Sequence, residues 1–155
     1  MEKIIGFIEN NYQVSKNGRK FTIGFKVGNN LITIENFKFY DEFSEETLAF
    51  KGDLCINNEC VGSCSNRGCG GCADYYLTNR DMINGIEEEI RQIDNYSFPK
   101  TKLNLHDVLD SIANIMVMFD DNNVKTITKA RETIHYLQKI ADDYRTKYGN
   151  WKLRE

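Results

Sequence analysis

The chain has 155 residues, enough for one domain with a buried core that does not depend on covalent staples. Hydrophobic residues make up 41% and charged residues 28%, with one proline, Pro99, a balance that argues against low-complexity and membrane-embedded classes. The net charge of -3 argues against a sequence-independent nucleic-acid binder, which needs a basic face, and is too small for a DNA mimic.

The first third reads as antiparallel sheet. Residues 3–9 (KIIGFIE) form an apolar run too short, and too interrupted by acids, for a signal peptide or a membrane span. Residues 20–27 alternate, with Phe21, Ile23 and Phe25 opposite Thr22, Gly24 and Lys26, and residues 31–40 continue the β-branched and aromatic enrichment. Turn signals stand at Asn17-Gly18 and at Gly28-Asn29-Asn30. A three-stranded meander is expected, with residues 47–54 as a further strand or a short helix.

All five cysteines follow, between Cys55 and Cys72, in a stretch rich in Gly, Asn and Ser. After it the apolar period becomes helical. Thr78-Asn79-Arg80-Asp81 resembles a capping box ahead of Met82, Ile83, Ile86, Ile90 and Ile93, with the helix ending near Tyr96 and a loop at 97–102. Asn104 caps a second helix carrying Leu105, Val108, Leu109, Ile112, Ile115, Met116 and Phe119, and 120–123 turn. The last helix places Ile127, Ala130, Ile134, Leu137, Ala141, Tyr144 and Tyr148 on one face and ends at Gly149. The expected fold class is α+β, with an N-terminal antiparallel sheet, a cysteine-rich metal loop and three C-terminal helices. The expected organisation is a single domain over 1–155: β-rich over 1–54, a zinc loop over 55–72, and a helical part over 73–155.

The cysteine spacing is C-x4-C-x3-C-x4-C-x2-C. In a cytosol thiols stay reduced, and an odd number of clustered cysteines points to metal before disulfides. Cys69-Gly70-Gly71-Cys72 can chelate one ion, since its glycines let the backbone wrap around the metal. Cys60 and Cys64 are the natural second pair, with Cys55 spare or replacing Cys60. Four thiolates make a closed structural zinc site with no open position for substrate. Cys64-x4-Cys69-x2-Cys72 also matches the plant-type ferredoxin spacing, but no cysteine follows Cys72, so an iron–sulfur electron-transfer or redox protein is the alternative and zinc the leading expectation.

Nothing else in the sequence carries chemistry. There is no phosphate loop, no HExxH and no nucleophile elbow, and the chain is not expected to be an enzyme. His106 and His135 read as surface or interfacial residues, and Asp53 and Asp74, which flank the cysteines, as caps or surface acids. Tyr75-Tyr76 and Phe37, Phe39 and Tyr40 read as core or sheet-face aromatics, with an interface hot spot as the sharper reading. The acidic groups Asp41, Glu42, Glu45, Glu46 and Glu87–Glu89 read as solvated faces.

The stretch CVGSCSNRGCGGCADYYLTNRDMI, with the size and the Lys/Asn/Ile-rich composition, resembles a small protein of a Gram-positive phage or mobile element. More specifically, it is similar to the zinc-containing kind of anti-CRISPR protein. The likeness lies in the cysteine stretch and the order of elements, and transfers no contact residue. It implies a stoichiometric inhibitor in the host cytoplasm that binds a type II CRISPR effector nuclease and blocks loading of target DNA. Direct nucleic-acid and membrane partners are not expected. A zinc-containing transcription factor is a third reading, weakened by the acidic charge.

Overall fold

The computed structural model describes residues 4–9, 11–18, 20–71, 73–78, 80–92 and 104–148. The fold is α+β. Among the described residues, seven antiparallel strands join one sheet in chain order. They are β1 (Ile4–Glu9), β2 (Tyr12–Asn17), β3 (Lys20–Val27), β4 (Asn30–Phe39), β5 (Phe50–Ile56), β6 (Glu59–Asn66) and β7 (Asp74–Leu77). Three helices follow: α1 (Asp81–Arg91), α2 (Leu105–Asp121) and α3 (Ile127–Tyr148).

Each step from one strand to the next is local. Gly18, Gly28 and Asn11 take positive φ at the first three turns, where side chains larger than Gly or Asn are disfavoured. The sheet is wider than the expected three-stranded meander for two reasons. The segment 12–17 alternates weakly and still pairs with β1 and β3. The segment expected as a loop over 55–72 is strand from Cys55 to Ile56 and from Glu59 to Asn66. Its Gly, Ser and Cys residues carry no hydrophobic alternation, yet they pair as β5–β6 and β6–β7.

Register assigns the two faces. Val14 faces Ile23, Phe25 faces Ile32, Ile32 faces Ile56, and Ile34 faces Leu54. These side chains are buried together with Leu105, Val108, Leu109, Ile112 and Phe119 of α2, which packs on β3 and β4. Each fully buried Ile or Leu is worth about 1.5–3 kcal/mol of transfer free energy, so this layer dominates stability. The ring of Phe21 meets that of Phe119 edge-on at 5.6 Å. On the other face Thr33 stands opposite Cys55.

The α2 start follows local chemistry. Asn104 Oδ1 accepts from the Asp107 N–H at 2.9 Å, and the Asp107 carboxylate accepts from the Asn104 N–H at 3.2 Å, a reciprocal capping box. The capping box expected at Thr78 does not form. α1 begins after Arg80 without a side-chain cap, and the Thr78 hydroxyl donates to the Val61 carbonyl at 3.0 Å. That carbonyl also accepts the Thr78 N–H, so ladder pairing with β6 claims the residue. Ile93, Tyr96, the 97–102 loop and Gly149 lie outside the described residues, as do the side chains of Leu137, Ala141, Tyr144 and Tyr148.

Candidate functional site

The cysteine stretch folds into two distinct pieces. The first is the β5–β6 hairpin. Its two-residue turn is Asn57-Asn58, with φ of 54° and 69°. Both residues are left-handed, the geometry of a type I′ turn, which Asn tolerates well. The tip is docked onto the neighbouring β4 strand. Asn57 Oδ1 accepts from the Leu31 N–H at 2.8 Å, its Nδ2 donates to Asn30 Oδ1 at 2.9 Å, and its own N–H donates to the Leu31 carbonyl at 2.9 Å. Cys55 and Cys60 face each other across this hairpin and are joined in a disulfide. Cys55 is fully buried, while Cys60 is exposed.

The register slips between Leu54 and Cys55, so that Val61 is an extra residue on β6. This bulge reverses the side on which the next cysteine emerges. Cys55 and Cys60 share the Thr33 face, whereas Cys64 stands opposite Gly52 and Tyr75 on the helix side and joins the hydrophobic core. Burial, reinforced by Asp53 and Asp110, pushes the Cys64 thiol up to about 12. It is a neutral thiol at ordinary pH, and it donates weakly to the Gly52 carbonyl at 3.7 Å.

The second piece is the loop from Asn66 to Ala73. Gly68, Gly70 and Gly71 all take positive φ. Gly68 is fixed twice over, because a Cβ there would run into the Phe43 carbonyl. Its own carbonyl accepts the N–H groups of Glu45, Glu46 and Thr47, at 3.0, 2.9 and 3.3 Å. Asn66 is the hub. Its Oδ1 accepts from the Gly68 N–H at 2.9 Å and from the Thr47 hydroxyl at 3.0 Å, and its Nδ2 donates to Asp110 Oδ1 at 3.1 Å. Asp110 Oδ2 in turn accepts the Ala73 N–H at 2.9 Å. Burial raises the Asp110 carboxyl, and those two hydrogen bonds oppose the rise.

His106, one turn before Asp110 on α2, pairs through Nδ1 with the Ala73 carbonyl, and its ring lies 4.7 Å from that of Tyr75. The Tyr75 hydroxyl is hydrogen-bonded to Glu87, and burial, then Glu87, raises it to about 12. His106 is therefore interfacial, tying helix to loop. Around the loop the surface is open. Phe43 is 60% exposed and Tyr76, on the edge strand β7, is 70% exposed. Glu42, Glu45, Glu46 and Cys69 are exposed as well. A cavity of about 510 Å³ opens between Ser44–Leu48 and the α2 residues Asp110 and Asn114. Asp53 accepts from Asn36 Nδ2 at 2.7 Å, and Asp74 is exposed on β7.

Of the expected zinc ligands Cys60, Cys64, Cys69 and Cys72, the three that are described, Cys60, Cys64 and Cys69, are not gathered into one site. Cys60 is bonded to Cys55 and lies on the opposite face from Cys64; Cys69 is on the exposed loop, and Cys72 lies outside the described residues. Among the described residues no group of three or more His, Cys, Asp or Glu could hold a metal ion. The described residues do not fit a site built on the Cys60–Cys64 pair, because the bulge at Val61 separates the two side chains. Asn66, Asp110 and Asn57 organise the region and were not singled out from sequence. The Asn-Asn dipeptide was a readable hairpin signal; Asn66 and Asp110, 44 positions apart, gave none. Comparison with family models, with curated proteins and with solved structures finds no match.

Proposed function

We propose that this protein is a protein-interaction module and a stoichiometric inhibitor of a type II CRISPR effector nuclease, acting by occlusion without chemistry of its own. The observation that carries the reading is the clamp on the Asn66–Ala73 loop. Asn66, the Gly68 carbonyl and Asp110 bind it to the Glu45–Thr47 segment and to α2. The exposed Phe43 ring and the carboxylates of Glu42, Glu45 and Glu46 are therefore displayed on a preorganised surface, which lowers the entropy lost on docking. An apolar anchor flanked by acids suits the rim of a positively charged nucleic-acid channel, and the acids speed the encounter. The resemblance of the cysteine stretch to zinc-containing anti-CRISPR proteins supplies the partner class. Rigidity of the loop is assigned to its hydrogen bonds, and no step is assigned to zinc.

The test is a DNA-cleavage assay with purified type II effectors, with and without guide RNA, titrated with this protein. Inhibition saturating near equimolar protein is the expected result. The variant E42K/E45K/E46K should retain its melting temperature and lose inhibition by a factor on the order of 10–100. Absence of both co-elution and inhibition at large excess across effector subtypes would remove the proposal.

A further inference from the structure

We infer that Cys55 and Cys60 form a reversible dithiol–disulfide pair, open to thiol exchange at Cys60. Three observations carry this. The two sulfurs differ in access: Cys55 is completely buried and Cys60 is exposed, so an incoming thiolate has one sulfur to attack. The register that brings them together does not depend on the bond. Asn57 and Asn58 hold the turn, Asn57 ties it to Asn30 and Leu31, and Ile56 pairs with Glu59 beside the cysteines. Reduction therefore leaves both thiols facing each other, poised to close again. Finally, a bond across so short a turn removes less chain entropy than one that closes a long loop, so its stabilising contribution lies at the low end of the range for disulfides.

The reaction is a dithiol–disulfide exchange with a cellular dithiol as the reductant. Its thiolate attacks Cys60 Sγ, the S–S electron pair departs with Cys55 Sγ, and Cys55 takes up a proton. The second thiol of the reductant then attacks the mixed disulfide, releasing Cys60 as a thiol and leaving the reductant as its cyclic disulfide. Two electrons and two protons pass to the protein. The bulge at Val61 keeps the released Cys60 thiol on the opposite face from Cys64, so the reduced pair stays a separate unit.

The experiment is a redox titration of the full chain in reduced and oxidised dithiothreitol, with alkylation mapped to each cysteine by peptide mass. A single reversible two-electron transition confined to Cys55 and Cys60, with unchanged circular dichroism, is expected. In single variants, C55S should trap an aromatic disulfide reagent at Cys60, whereas C60S should react at Cys55 more slowly by a factor on the order of 100, because the site must first open. The double variant C55A/C60A serves as the folding control. Free, alkylatable Cys55 and Cys60 after air oxidation of the folded protein would overturn the inference, as would a bond that yields to dithiothreitol only on unfolding.

Discussion

The tip of the β5–β6 hairpin and the Asn66–Ala73 loop carry four of the five cysteines between their ends, and they are ordered by different means. The hairpin is held by its own backbone: two left-handed asparagines, a ladder on both sides and a covalent bond across it. The loop has no ladder of its own. It is held by partners remote in sequence, the Asp110 carboxylate of α2 and the N–H groups of residues 45–47, which meet the loop's own Asn66 side chain, Ala73 N–H and Gly68 carbonyl. The difference implies that the cysteine-bonded region is held mainly by strand pairing, its turn and its bond, whereas side-chain contacts that involve no cysteine hold the other.

That comparison is broken most directly at Asp110. Asp110→Ala leaves the buried Ala73 N–H without its acceptor and the Asn66 amide with only the Gly71 carbonyl at 3.3 Å, and should cost about 3 kcal/mol in chemical denaturation. A loss under about 1 kcal/mol would mean that the loop is held without it. Asp110→Asn adds a pH test. Burial raises the Asp110 carboxyl in the fold, so its contribution is fully present below the ordinary carboxylate value and declines as pH rises through the raised value. Wild type should accordingly gain on the Asn variant as pH falls through that range. A pH-independent difference would contradict the assigned burial.

A smaller loss is expected from Gly68→Ala. It combines a left-handed φ of 83° with a collision at the Phe43 carbonyl, and should cost about 2 kcal/mol while leaving the Cys55–Cys60 bond intact by mass. Loss of that bond in the variant would show that the two pieces are coupled. The least effect belongs to the hairpin. Cys55→Ala with Cys60→Ala should lower stability by about 1–2 kcal/mol, since the asparagine turn and the ladder remain. Unfolding at room temperature would reverse the ranking of the two regions.

Much of the fold was legible in local pattern. The alternation of residues 20–27 and the cap expected at Asn104 each correspond to an observed element. The helical run from Ile127 does as well. Legibility failed where side chains were small. Cys55 to Asn66 reads as loop because Gly, Ser and Cys lack the apolar contrast on which strand recognition rests, and Thr78 reads as a helix cap although β6 claims it. The loop clamp was illegible because its two main residues are remote in sequence.

Which cysteines are neighbours along the chain, and that the asparagines between Cys55 and Cys60 can turn it, follow from the order of residues alone, because turn chemistry is local. Which sulfurs meet is set by the folded sheet. One extra residue at Val61 changes the face of the strand, so Cys60 joins Cys55 and Cys64 enters the core. Spacing counts residues, but the side on which each thiol emerges depends on the register that the whole sheet imposes.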